Sequence, residues 1–151
     1  MNQIPEGDLW QHELKLDGYR TIAIKQNGEV DLFSRNGKSF NSKFPSVGEM
    51  LEKLRLKRFV IDGEIVALDE RGRHSFALLQ NIKTSKALLR FYVFDLLHVG
   101  NDNLSKAILQ KRRKRLEEEF SALPANMELS PILLGEARKI LASVNNSSLR
   151  E

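Results

Sequence analysis

Apolar and polar residues alternate from Gln11 to Leu16 and again from Tyr19 to Lys25, the period of two that a half-buried strand requires. Asn27-Gly28 follows, a dipeptide that tolerates the positive φ of a tight hairpin turn, and Glu29 to Ser34 resumes the β-type pattern. A strand and then a hairpin are expected. The period changes at Pro45-Ser46: Val47, Met50, Leu51 and Leu54 recur at helical spacing, which predicts a short helix through Leu54. Phe59 to Leu68 is β-type again, interrupted by Asp62-Gly63-Glu64 and closed by a turn at Arg71-Gly72, with another strand expected after it. Ser75 is placed to cap a short helix carrying Phe76, Leu79 and Ile82. Leu88 to Val99 has the aromatic and aliphatic density of a central strand covered on both faces. Ser105 is placed to cap the longest helix, ending near Leu123 before Pro124, and Leu133 to Val144 reads as a last helix. The polar run Asn145 to Ser148 reads as a frayed tail.

A chain of 151 residues with 41% hydrophobic content suits one soluble globular domain, or part of one. It contains no cysteine, which excludes disulfides and thiolate metal sites, and no apolar run approaches the roughly 18 residues of a membrane helix. The first residues, Met1 to Gly7, lack the basic and apolar regions of a signal peptide, so a cytoplasmic location and no membrane partner are expected. A net charge of +4 favours a polyanionic partner, but as a matter of steering rather than chemistry.

Candidate chemistry centres on Lys15-Leu16-Asp17-Gly18-Tyr19-Arg20. An amine attacks a phosphorus atom only when neutral, and a lysine of ordinary pKa is neutral to about one part in a thousand or less near pH 7. Arg20 and a metal ion can supply the shift, Asp17 can orient the amine, and Gly18 allows a sharp turn close to a phosphate. Ser34-Arg35-Asn36-Gly37 is a tight turn that can either sit in solvent or hold Arg35 toward a ribose or phosphate. Asp62-Gly63-Glu64 puts a glycine between two acids inside a strand; it is a polar kink, or a place where another group comes close and Glu64 takes a ribose hydroxyl or a divalent cation.

In Phe91-Tyr92-Val93-Phe94-Asp95, strict alternation puts Phe91, Val93 and Asp95 on one face and Tyr92 and Phe94 on the other. These aromatics are either core or a platform for a purine. Lys111-Arg112-Arg113-Lys114-Arg115 precedes Glu117-Glu118-Glu119; cations that wrap more than one helical turn suit a solvated, internally paired face better than a DNA-backbone patch. His12, His74 and His98 have no metal-ligand spacing, and no Gly-rich P-loop is present.

Glu13 to Arg20, Ser34 to Gly37, Asp62 to Glu64 and Phe91 to Asp95, taken in order, resemble the motifs of ATP-dependent DNA ligases, above all the ligase domain of bacterial non-homologous end-joining proteins. Ile65 to Glu70, Gly72-Arg73 and Ser75-Phe76 through Leu79-Gln80 extend the resemblance, which runs from Leu9-Trp10 to about Leu141. It implies an α+β fold of antiparallel sheets flanked by helices, the ATP-grasp-like nucleotidyltransferase fold of DNA ligases and mRNA capping enzymes. It further implies that Lys15 carries AMP through a phosphoramidate bond, supported by Asp17, with Glu13 and the backbone of Leu14 at the adenine edge. Arg20 and Arg35 would contact ribose and phosphate, Glu64 would bind ribose and Mg²⁺ or Mn²⁺, and Phe94 would stack on adenine. ATP is the implied nucleotide, and nicked or broken double-stranded DNA the implied partner.

After the helix near Glu136 to Val144 the family continues with a Glu-Gly motif, a Lys-x-Lys motif that holds the α-phosphate, and an OB-fold domain, whereas this sequence reads Asn145 to Glu151. The expectation is a partial adenylation domain over 1–144 with a polar tail over 145–151, incomplete at its C-terminus and without the OB fold. Loss of such a phosphate donor typically costs about 3–4 kcal/mol, so full ligation by this chain alone is not expected unless a separate chain supplies the missing motifs. The alternatives are a nucleotide-binding remnant without catalysis, and a basic DNA-binding or partner-docking module built on Lys111 to Arg115.

Overall fold

A computed structural model describes residues 16–130 of the chain, together with the backbone of 12–13 and 132–133. The chain divides into two units. One contains Met1–Leu16 and Ser130–Glu151; within it β1 (His12–Glu13) pairs antiparallel with β8 (Ile132–Leu133). The other, Asp17–Leu129, carries the remaining elements. These are β2 (Tyr19–Gln26), β3 (Glu29–Ser34), α1 (Pro45–Glu52), β4 (Phe59–Leu68), α2 (Phe76–Gln80), α3 (Ile82–Ser85), β5 (Leu88–Val99), β6 (Asp102–Asn103), α4 (Leu109–Glu119) and β7 (Met127–Leu129). Among the described residues no helix is long and apolar enough to cross a membrane.

The sheet runs β3-β2-β4-β5-β6, all antiparallel, and β7 adds to β5 in parallel at Phe91 to Val93. Asn27 and Gly28 both take positive φ, 55° and 79°, which is the backbone twist a two-residue hairpin needs. One face of the sheet is the core. Alternate residues Ala23, Leu32, Phe59, Ile61, Ile65, Phe91, Val93 and Leu96 are buried there against Val47 and Leu51 of α1, Leu79 of α2, and Leu116 and Phe120 at the end of α4. Each large apolar side chain removed from water contributes roughly 1.5–3 kcal/mol, so this face sets which way the other residues of each strand must point.

β4 runs unbroken through Asp62-Gly63-Glu64, contrary to the expected interruption, and the reason lies in Gly63. A Cβ at that position would collide with the carbonyl oxygen of Tyr92 and come within 2.7 Å of the Phe91 ring. Gly18 is subject to the same constraint, because a Cβ there would overlap the Ile65 carbonyl and lie 2.9 Å from Val66 Cγ1. Both motif glycines admit a neighbouring strand of the same chain.

β5 departs from strict alternation. Val60 faces His98 but Ile61 faces Leu96, and Asp62 faces Asp95 but Gly63 faces Val93, so Leu97 and Phe94 are extra residues at two bulges. The core therefore takes Phe91, Val93, Leu96 and Val99. Asp95 leaves the face shared by Phe91 and Val93 and sits across from Asp62, where alternation alone would have buried it.

Other boundaries also move. Beyond Arg71-Gly72 the expected strand is a single antiparallel bridge between Leu68 and His74. α1 ends at Glu52, and Ile82 opens α3 instead of continuing α2, although Ser75 does cap α2 by accepting from the Leu78 amide at 3.3 Å. α4 begins at Leu109, with Ile108 at its N-cap and no side-chain cap, while the Ser105 hydroxyl donates to Asn103 Oδ1 at 2.7 Å. It ends at Glu119, before the expected Leu123. Leu16 lies outside β1, and Leu133 belongs to a strand, not to the start of a helix; 134–144 lie outside the described residues.

Lys25 is a buried cation that the pattern did not single out. Its Nζ donates to the carbonyl oxygens of Leu51, Glu52 and Leu54 at 3.2, 2.9 and 2.7 Å, capping the end of α1, where the Leu51 carbonyl also accepts from the Leu54 amide. Burial pulls its pKa below the ordinary lysine value, with Glu52 opposing.

Gly63→Ala should destabilise the protein by about 3 kcal/mol, the upper end of overpacking costs, because one clashing atom is a strand carbonyl; urea denaturation measures it. A second outcome follows from the turn after β4. Asp69 Oδ1 accepts from the amides of Arg73 at 2.8 Å and Arg71 at 2.9 Å, and Oδ2 meets Arg73 Nε at 2.9 Å. The Arg73 amide holds this carboxyl below its ordinary value of 3.8; burial opposes it next in size, and the Arg73 side chain and the Arg71 amide add smaller lowering effects. A depressed folded-state pKa stabilises above the unfolded value and is lost as pH falls through the folded one. Thermal unfolding followed downward from pH 5 should therefore show a decline that Asp69→Ala lessens.

Candidate active-site face

The strand register that buries the core decides the composition of the opposite face. Tyr19 packs on the core side among Phe40, Phe44 and Phe76, with ring centroids 5.8, 6.1 and 5.4 Å away, so Arg20 projects to the other side. Arg20 pairs in register with Glu64, Ile22 with Asp62, Glu64 with Tyr92, and Asp62 with Asp95. Cross-strand partners share a face. The structure thus brings Arg20, Asp62, Glu64, Tyr92 and Asp95 together, and Phe94 joins them at its bulge, its ring centroid 5.3 Å from the Arg20 guanidinium carbon.

Charge on this face is largely organised in pairs. Asp62 grips Arg20 through two oxygens, Nε to Oδ1 at 3.2 Å and Nη2 to Oδ2 at 2.6 Å. The Asp62 side chain is 8% exposed and that of Arg20 53%, so the acid anchors an arginine whose outer edge meets solvent. The hydrogen bond to Asp62 raises the Arg20 pKa, and the charges of Asp62, Glu64 and Asp95 reinforce it against burial. Asp95 Oδ1 accepts from Arg112 Nε at 2.8 Å, which ties α4 to β5. Tyr92 is nearly buried; its hydroxyl lies 3.1 Å from His74 Nε2 and 3.4 Å from Arg90 Nη1. Such an arrangement offers an anion a fixed cation beside an aromatic ring and a carboxylate.

The remaining expected residues are distributed as follows. The Glu13 backbone is in β1, and Leu14 and Lys15 lie outside the described residues. Asp17 is exposed. Arg35 is exposed on the turn after β3, one position past the Thr21–Ser34 pair and so at the Arg20 end of the sheet. That turn is closed by Ser34, whose hydroxyl accepts from the Asn36 and Lys38 amides at 3.3 and 3.0 Å. Asp62 as the partner of Arg20 escaped the sequence reading; the signal available was that Asp62 and Glu64, two apart in a strand, must share a face. The three arginines of the basic run on α4 are paired: Arg112 with Asp95, Arg113 with Glu117, and Arg115 with Glu119 and Asp102.

The sequence matches the family described as ATP dependent DNA ligase domain over residues 2–150. The chain belongs to that family. It is 36% identical over 146 residues to the multifunctional non-homologous end joining protein LigD of Pseudomonas aeruginosa, covering 95% of this chain and 17% of that protein. It is 33% identical over 133 residues to the multifunctional non-homologous end joining DNA repair protein LigD of Mycobacterium tuberculosis, covering 88% and 17%. Among solved structures, the ligase domain of M. tuberculosis LigD superposes with a TM-score of 0.76 at 31% identity, covering 91% of this chain and 44% of that one. A mycobacterial DNA ligase D complexed with ATP and MES gives 0.75 at 29%, covering 90% and 44%. This ligase-family chain has the nucleotidyltransferase fold of those domains, a sheet flanked by helices, and spans less than half of either solved chain.

The Arg20–Asp62 pair is open to a direct test. A double-mutant cycle of Arg20→Ala and Asp62→Asn, read by urea denaturation, should return a coupling energy of about 1–2 kcal/mol, within the range for residues in one network and reduced by the exposure of Arg20.

Proposed function

We propose that this chain is the adenylate-accepting part of an ATP-dependent DNA ligase, with Lys15 as the residue that becomes covalently adenylylated. The observation that carries the reading is the convergence of Arg20, Glu64 and Phe94 on one sheet face, with the guanidinium beside the ring and across from the carboxylate. In this reading Phe94 stacks on adenine, Glu13 and the Leu14 backbone meet its edge, Arg20 and Arg35 meet ribose and phosphate, and Asp17 supports the lysine loop. The Lys15 amine, having lost a proton, gives its lone pair to the α-phosphorus; the P–N bond forms as the bond to pyrophosphate breaks. Asp62 keeps Arg20 aimed and charged, so little reorganisation is needed as negative charge shifts in the transition state.

A divalent cation would neutralise phosphate charge during this step. Mg²⁺ is commonly held by one or two carboxylates plus substrate phosphates, which fits Glu64, and Mn²⁺ suits the same oxygen donors. Among the described residues no group of three or more acidic or histidine side chains forms a metal cage, which agrees with an ion shared with the nucleotide. The substrate in this reading is nicked or broken double-stranded DNA. The reading assigns to these residues the first half-reaction, with sealing measured separately. The paired arginines of α4 count against a module whose main activity is DNA binding through that run.

Intact-mass spectrometry after incubation with ATP and Mg²⁺ should show one added adenylyl group on the wild-type chain and none on Lys15→Ala. Label persisting on Lys15→Ala would remove the lysine assignment, and a wild type that neither binds ATP nor gains mass would remove the reading. Phe94→Ala should still be labelled but need about tenfold more ATP for half-maximal rate, the equivalent of an aromatic contact worth roughly 1.4 kcal/mol.

A further inference from the structure

The three arginines of the basic run in α4 are spent on ion pairs, but a second cluster of cations is not. Lys53, Arg55, Lys57 and Arg58 lie in the segment joining α1 to β4 and are all exposed. Among the described residues none of the four has a hydrogen-bonding or ion-pairing side chain. The segment is held in place despite its lack of regular structure. Leu54 and Leu56 pack against the core between the cations, the Leu54 carbonyl is bound by Lys25 Nζ at 2.7 Å, and the Arg58 carbonyl accepts from the Gly100 amide at 2.9 Å. Fixing the leucines inward forces the charged residues outward around a cavity of about 730 Å³, lined by Arg55, Lys57 and Arg58 with Asn27, Gly28 and Glu52. Three of the four cations line that cavity with one acid, Glu52; Lys53 borders a neighbouring pocket with Glu49, and the nearby Asp102 and Glu119 are each paired with Arg115.

We infer that this segment is a second contact surface for the phosphodiester backbone of DNA, distinct from the face that carries Arg20 and Glu64. The inference rests on the reading of the chain as a ligase. Position sets what such a contact requires. Arg20 and Lys25 lie near opposite ends of β2, five residues apart, so at about 3.3 Å per residue the strand separates them by roughly 17 Å, about five base pairs of duplex at 3.4 Å each. Lys25 points to the α1 side of the sheet and Arg20 to the other, so a duplex that reaches the cluster from the adenylylation face passes the end of the sheet. Guanidinium and ammonium groups without protein anions are the chemistry that phosphates recruit, and they read no bases.

The test compares the full chain with the quadruple variant Lys53→Gln/Arg55→Gln/Lys57→Gln/Arg58→Gln, and with a control that removes equal charge elsewhere, Lys83→Gln/Lys106→Gln/Lys111→Gln/Lys114→Gln. Thermal melting confirms that both are folded. Fluorescence anisotropy with a labelled nicked duplex of about 30 base pairs, titrated between 50 and 200 mM salt, should show the slope of log affinity against log salt falling by three to four for the first variant, about 0.9 for each phosphate that is no longer neutralised. Affinity at 50 mM salt should drop at least tenfold, and the control should change little. Adenylylation of the first variant by ATP should match wild type. Equal losses in both variants, no loss in the first, or no binding by wild type would each overturn the inference. Label formation decides the ligase reading separately: a chain that takes no AMP yet loses DNA only through this cluster would retain the surface and lose the enzyme.

Discussion

The close approach of β4 to β5 at Gly63 is the constraint from which the candidate face follows. With no side chain at that position, the Phe91 ring and the Tyr92 carbonyl move into the space, and the two strands stay paired through the acid–glycine–acid run although their register shifts between Asp62 and Gly63. The two acids then project together away from the core. A larger residue there would separate the strands at the point where Asp62, Glu64, Phe94 and Asp95 meet. The same packing logic explains Gly18 against Ile65, so both glycines of the motifs serve strand contact.

A second fixed point sits at the opposite end of β2. Lys25 occupies a core-facing position, where an aliphatic side chain would be the ordinary choice, and it holds three carbonyls of the α1 terminus. A buried ammonium is tolerated because three carbonyl oxygens at the end of α1 take its hydrogens. The result is a helix end and a strand joined by polar bonds inside an apolar layer. That joint positions the segment from Lys53 to Arg58 as firmly as a regular element would.

Much of the architecture was legible in the residues. The Asn27-Gly28 hairpin, the long β5 run and the Ser75 cap each rest on local chemistry that tertiary packing did not override. Asp62-Gly63-Glu64 was recognised as unusual, but the close neighbour turned out to be another strand, which only the fold could reveal. The Ser105 cap failed because the helix opens only at Leu109, which leaves no helix amide for the Ser105 oxygen to accept from. β6 and β7 are too short, at two and three residues, to leave a periodic signature, and their pairing depends on what β5 presents. Of the expected site, the grouping of Arg20, Glu64 and Phe94 followed from motif order. The Asp62 clamp needed cross-strand register, and the pairing of the α4 arginines needed the partners that tertiary structure supplies.

The bulges at Phe94 and Leu97 give β5 twelve residues where β4 spans the same ladder with ten. Residue number thus becomes a structural variable in its own right. Deleting a single residue there would leave composition almost unchanged, yet it would invert the phase of the strand on one side of the gap, exchanging inward and outward side chains. Between relatives, the placement of gaps in this strand therefore carries as much information about the nucleotide face as the identity of the residues that line it.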